Sequence, residues 1–152
     1  MTGPAPGKIL LSARVYLCSR TRCVEVRCDV YLHVKGWSLA RVTHLDLEAP
    51  LLNEAMPPGR HAYCPLKVSG GRVVVRLREP TYSRELGILI REIRVESEEL
   101  AGALGDGANT WVYLGGKEGG VFLGFRKEFI LRLEELARSR GVEPRGGRSS
   151  QG

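Results

Sequence analysis

Residues 8–35 alternate between apolar and polar on both sides of a short turn, and that pattern dictates a long antiparallel hairpin. From Lys8 to Cys18 the apolar positions are odd: Ile9, Leu11, Ala13, Val15 and Leu17. From Cys23 to Lys35 they are even: Val24, Val26, Cys28, Val30, Leu32 and Val34. A period of two sustained this far marks a half-buried strand. Pairing Cys18 with Cys23 across Ser19–Arg22 predicts Leu17 opposite Val24, Val15 opposite Val26, Ala13 opposite Cys28, Leu11 opposite Val30 and Ile9 opposite Leu32. A slip of one residue would turn every one of these to the wrong face. The other face then carries Tyr16 with Glu25, Arg14 with Arg27, Ser12 with Asp29, Leu10 with Tyr31 and Lys8 with His33, a surface rich in arginine and tyrosine.

Two more hairpins follow. Ala62, Cys64, Leu66 and Val68 alternate, as do Val73, Val75 and Leu77, with Ser69-Gly70-Gly71-Arg72 as the loop. This predicts Val68 opposite Val73, Leu66 opposite Val75 and Cys64 opposite Leu77, with Lys67/Val74, Pro65/Arg76 and Tyr63/Arg78 on the far face. Pro65 lacks a donor, which points to an edge strand or an outward-facing nitrogen. The third hairpin spans Asn109–Phe125 around a loop from Gly115 to Gly120. Val112 and Leu114 match Leu123 and Val121 on one face, and Trp111, Tyr113 and Phe122 share the other. Between these lie a third strand over Trp37–Leu47, a proline-rich loop over Ala49–Gly59 with a helical turn at Leu51–Met56, and a strand over Leu86–Val95. Glu79-Pro80 reads as the stop before that last strand, whose apolar phase changes near Ile90-Arg91, as at a bulge; a helix is the competing reading, since Leu86, Leu89, Ile90 and Ile93 also fit a 3.6 period. Ser97 followed by Glu98-Glu99 is an N-cap with acidic first-turn residues, opening a short helix that ends by Gly105.

The last element is an amphipathic helix, Arg126 to Arg140. Phe129, Ile130, Leu133, Leu136 and Ala137 form its stripe and Gly141 its cap. Leu131 falls on the opposite side, so helix 126–140 or a sheet edge is a route to a homo-oligomer. The fold class is therefore α+β: predominantly antiparallel β, three hairpins in a sheet or partly open barrel, with a C-terminal amphipathic α-helix. The expected organisation is a flexible start over 1–7, one β-rich domain over 8–141 and a disordered tail over 142–152.

The chain has a net charge of +6. Residues 1–80 hold 12 Lys/Arg against 6 Asp/Glu, whereas residues 81–152 hold 11 of each, so the basic excess lies wholly in the front half. Such an excess favours anionic partners, nucleic acid first. No apolar run is long enough for a membrane helix, and Arg14 interrupts the only early apolar stretch, so the expected location is cytoplasmic with no membrane partner. Few Asn and Gln beside abundant Arg fit a hyperthermophile, archaeal in character, whose cytosol can retain disulfides.

Cys18 and Cys23 flank one turn on one face and are a feasible disulfide, one that adds little because its loop is short. Cys18, Cys23, Cys28 and His33 recur every five residues like metal ligands, but alternation sends Cys28 inward while Cys23 and His33 point outward. Ligands must converge, so no metal is expected. Cys28 and Cys64 read as small buried hydrophobes. The glycine clusters join strand to strand, and neither matches the G-x-x-x-x-G-K-S/T pattern of a phosphate loop. No Ser/His/Asp set or histidine spacing announces a nucleophile. The reading is of a non-enzyme with no cofactor.

What remains is the chemistry of the polar sheet faces. Single-stranded DNA or RNA is held by basic grooves lined with aromatic platforms. Arg14, Tyr16, Arg27, Tyr31 and His33 on the first hairpin supply those parts. So do Tyr63, Lys67, Arg76 and Arg78 on the second, and Trp111, Tyr113, Lys117 and Phe122 on the third, with Arg126 and Lys127 beside it. Hairpins followed by an amphipathic helix resemble, in outline, compact single-strand-binding β modules, and an OB-like barrel is equally compatible. A rival reading comes from Ser83–Ile93. It resembles the arginine-x-leucine-glycine strand of some sandwich domains attached to glycosyltransferases, which implies a non-enzymatic β-sandwich accessory or assembly subunit in contact with protein or carbohydrate.

Overall fold

The first hairpin forms in the register its alternation demands, but both arms bend half-way. In the computed structural model, which describes residues 8–35 and 42–141, each arm is two strands. β1 (Lys8–Leu11) pairs with β4 (Asp29–Lys35), placing Ile9 opposite Leu32 and Leu11 opposite Val30. β2 (Arg14–Cys18) pairs with β3 (Cys23–Val26), placing Val15 opposite Val26 and Cys18 opposite Cys23. The expected Ala13/Cys28, Ser12/Asp29 and Arg14/Arg27 pairs fall at the bend and are not made. Arg14 sits opposite Glu96 instead. The bend lets each half take a different second neighbour.

The remaining elements are β5 (Val42–Glu48), a 3-10 turn (Pro50–Glu54), β6 (His61–Ser69), β7 (Arg72–Ser83), β8 (Ile88–Glu96), α1 (Glu98–Leu104), β9 (Asn109–Lys117), β10 (Gly120–Gly124) and α2 (Lys127–Ser139). The strands form one antiparallel sheet in the order β1-β4-β5-β10-β9-β6-β7-β8-β2-β3. β4 pairs with β5 while β2 pairs with β8, so the two ends of that order belong to the same hairpin. The sheet therefore curls round to meet itself, as a partly open barrel does. One face of every strand points inward. Leu17, Leu32, Leu45, Leu66, Ile90, Ile93, Leu114 and Leu123 are fully buried there. The two helices pack on each other, with Leu104 and Leu133 joining the same core. Among the described residues no helix is long and apolar enough to cross a membrane.

Several local expectations need correction. Pro65 is not on an edge, because β6 lies between β9 and β7. The β6–β7 ladder simply stops at Leu66/Val75, beside the proline, while pairing with β9 continues to His61. Glu79-Pro80 does not stop β7, which runs through it as an irregularity. Arg76 sits opposite Glu92 and Thr81 opposite Ile90, so β7 carries Leu77 to Pro80 where β8 carries only Arg91. That is the bulge signalled by the phase change in β8. Arg84–Gly87 forms a turn, not a strand, with Gly87 at φ 67°. The third hairpin is tighter than its glycines suggested. Leu114 faces Leu123 and Gly116 faces Val121, a two-residue shift that keeps each side chain on its expected face. The third strand begins at Val42; residues 37–41 of the expected strand, together with 1–7 and 142–152, lie outside the described residues. Ser97 caps α1 as expected, its hydroxyl accepting from the Leu100 amide at 3.2 Å. Leu131 of α2 is exposed.

Candidate functional site

The outer face of five adjacent strands carries aromatic rings that touch in series. His33 on β4 lies directly opposite His44 on β5, and their imidazoles stack at 4.5 Å with planes 8° apart. His44 meets the edge of Phe122 on β10 at 6.3 Å. Phe122 lies over Gly115, its cross-strand partner, where a side chain would collide with the ring. It contacts Tyr113 on β9 at 5.9 Å, and Tyr113 contacts both Tyr63 at 5.2 Å and His61 at 5.4 Å on β6. Five strands at ~4.8 Å spacing make this a row of about 19 Å. Trp111, opposite Pro65, widens the row on β9. Tyr63 is 60% exposed and Trp111 45%, so ring faces are open to a ligand where the row reaches β9 and β6. Lys67 extends the same face, and Lys8 lies 4.3 Å over the Tyr31 ring at its other end.

Under the imidazole end sits a buried carboxylate. Asp46 forms an ion pair with Lys117, Nζ to Oδ1 2.9 Å, and its carboxylate lies 2.7 Å from His33 Nε2 and 3.8 Å from His44 Nε2. His33 was expected on this face beside Tyr31, but its grouping with Asp46 and the part His44 and His61 play in the row were not apparent in the sequence. The signal was a missing register: with the β4–β5 pairing in hand, His33 and His44 become neighbours.

The β7 bulge opens a cleft of about 510 Å³ beside the row. Its walls carry Arg20 from the β2–β3 turn, Arg76 and Arg78 from β7, and Arg91 from β8. Glu92 is the one carboxylate lining it, and that group is held by Arg94 at 2.8 Å. A neighbouring cleft of about 410 Å³ shares Leu77 and Arg78 and is lined by His61 and Tyr63, where the row of rings ends. Arg78 donates to the Tyr63 carbonyl at 3.3 Å, so the rings and the arginines meet at one residue.

The turn bearing Arg20 is fastened. Cys18 and Cys23 form the disulfide foreseen from their positions. The Ser19 hydroxyl accepts from the Arg22 amide at 3.1 Å, and Arg22 donates to the Leu86 carbonyl at 3.1 Å. A loop this short adds about 2 kcal/mol by chain entropy, which at this size corresponds to roughly 4–8 °C. Thermal melting of Cys18→Ser/Cys23→Ser should show a decrease of that order. An unchanged midpoint would mean that the turn's own hydrogen bonds suffice. The other thiols stay protonated at neutral pH. Burial, then the charges of Asp29 and Glu48, pushes Cys28 up to about 12, and burial likewise raises Cys64.

The remaining expected site residues are placed differently. Arg14 and Tyr16 lie on β2, Arg14 opposite Glu96 and Tyr16 between Glu25 and Arg94. A hydrogen bond with Tyr16, then the charge of Glu25, raises the Arg14 pKa, and Arg72 pairs with Glu96 at 3.3 Å nearby. A cleft of about 610 Å³ lies here, but Arg14 and Arg72 face Glu96, Glu98 and Glu99 in its lining, a poor seat for a polyanion. Arg27 is exposed at the bend between β3 and β4, and Arg126 and Lys127 are exposed at the start of α2. The structure thus groups Tyr31, Tyr63, Lys67, Trp111, Tyr113, Lys117 and Phe122 on one face, with Arg76 and Arg78 in the adjoining cleft.

No family model, curated protein or solved structure matches this chain. Its function must be argued from these side chains.

Proposed function

We propose that this protein binds single-stranded nucleic acid, bases against the row of rings and backbone phosphates in the arginine cleft. The observation that carries the reading is their adjacency: the rings from five strands end at a cleft, lined also by Glu79, that shares Leu77 and Arg78 with the cleft where four guanidinium groups face one carboxylate that is already paired. Guanidinium groups suit phosphate through their paired donors, and exposed aromatic faces stack on any base. On this reading the protein is a cytoplasmic binding module, not a catalyst.

Fluorescence anisotropy with labelled oligo(dT) and oligo(U) over a range of salt tests it. The logarithm of the affinity should fall linearly with log salt concentration, and each arginine that neutralises a phosphate contributes about 0.7 to the slope. Arg78→Ala and Arg91→Ala should each flatten the slope by about that amount. Arg14→Ala should leave it unchanged, because its partners are carboxylates. No binding at low salt, or an equal loss from Arg14→Ala, would overturn the reading.

One observation favours the second reading, an assembly subunit. Tyr82 and Leu89 are directly opposed on β7 and β8 and both are exposed. A protein partner docked there would show little salt dependence. Light scattering would detect a homo-oligomer through this pair or through Leu131.

A further inference from the structure

We propose that His33, His44 and Asp46 form a binding site for a borderline divalent cation, zinc above all. The three come from two neighbouring strands. Cross-strand pairing sets His33 opposite His44, and Asp46, two residues along β5, shares their face. One ligand atom from each lies within 4.8 Å of the others. With bonds of about 2.0–2.2 Å, tetrahedral ligation needs ligand atoms roughly 3.4 Å apart. Small rotations about the side-chain torsions close that difference. Both Nε2 atoms already turn toward the one carboxylate, His33 at 2.7 Å from Oδ2 and His44 at 3.8 Å from Oδ1. The side chains are 16%, 22% and 8% exposed, shielded from bulk water but open on one side.

The donor set selects the metal. Two imidazoles and a carboxylate suit zinc or another first-row divalent ion. Calcium and magnesium prefer oxygen alone. Three protein ligands leave a fourth position for water or for a ligand atom. Lys117 is the device that holds the site without a cation. Its ammonium lies 2.9 Å from Asp46 Oδ1 and 3.8 Å from Glu48 Oε2, so it can release Asp46 and keep a carboxylate partner. A bound dication and this ammonium repel each other, so metal uptake moves Lys117 toward Glu48.

The inference does not rest on nucleic-acid binding, and its test contains no oligonucleotide. Full-length protein is stripped with a chelator, then titrated with zinc chloride by calorimetry and with cobalt chloride by visible absorption. The expected result is one equivalent bound, with visible bands of nitrogen and oxygen ligation and no thiolate charge-transfer band. His44→Gln and Asp46→Asn should each weaken uptake by about a hundredfold or more. Lys117→Met should tighten it by about tenfold, a gain that a purely structural lysine would not produce. Circular dichroism checks each variant; if Asp46→Asn is misfolded, His44→Gln and Lys117→Met decide. Absence of stoichiometric uptake by the native chain overturns the site. So does uptake indifferent to His44→Gln, or uptake lost in Cys28→Ser.

Discussion

Replacing Tyr63 and Tyr113 together with alanine is expected to weaken oligo(dT) binding by at least roughly thirtyfold, because each stacked base contributes about 1–3 kcal/mol. The two rings touch at 5.2 Å, and Tyr63 is 60% exposed, so its removal opens no cavity in the core. Tyr113 is the hub of the row, meeting His61, Tyr63 and Phe122. The double variant should keep its secondary structure and melt within a few degrees of the native protein. A companion change separates position from mere presence. A methyl group at Gly115 meets the Phe122 ring. Gly115→Ala should therefore displace Phe122 and weaken binding with every ring still in the chain. Anisotropy titrations read both variants, and native affinity in the double variant would remove the row of rings from the site.

A larger effect on stability is expected from Gly116→Ala, which should lower the melting midpoint by more than about 6 °C, equivalent to 3 kcal/mol or more. Gly116 lies on β9 where the segment after the 3-10 turn passes over the third hairpin. Its amide donates to the Arg60 carbonyl at 2.8 Å and its carbonyl accepts from the Gly59 amide at 3.1 Å. Asn53 fastens the same crossing, donating to the carbonyls of Met56, Lys117 and Gly120 at 3.2, 3.0 and 2.8 Å. A Cβ at Gly116 would run into the carbonyl oxygens of Met56 and Pro57. These are backbone atoms already committed to the crossing, so no side-chain rotation relieves the collision. Gly119 is the control. It has open space around it but sits at φ 83°, so Gly119→Ala should lose only about 1 kcal/mol of conformational preference. Thermal melting of the pair tests the argument, and equal midpoints would refute it.

Local alternation was enough to read the register of the first hairpin, because every apolar residue there votes for the same pairing. The second hairpin followed from the same logic near its turn, where Leu66/Val75 and Val68/Val73 form as read. What alternation does not encode is which strand lies on a hairpin's other side. The contacts β4–β5, β10–β5, β9–β6 and β8–β2 set the whole order of the sheet and leave no periodic trace. The grouping of His33 with His44 and Asp46 escaped notice for that reason, although His33 was already placed on the outer face. The arginine cleft hid in a different way. The phase change in β8 was legible, but its counterpart in β7 contains Pro80, and a proline in a strand pattern is ordinarily a stop. A strand that widens to accommodate proline reads, one residue at a time, like a strand that ends. Arg14 and Arg27 illustrate the converse error. Sharing a face implied that they work together, but the bend between the two halves of each arm separates them.

That bent hairpin bears on the protein's solubility at high concentration. A sheet of ten strands laid flat would end in two long rows of unpaired amides and carbonyls, a template for a neighbouring molecule's backbone. Here the outermost strands are only four residues each and belong to the same covalent loop. Among the described residues the fold leaves little rim onto which a fibril could grow.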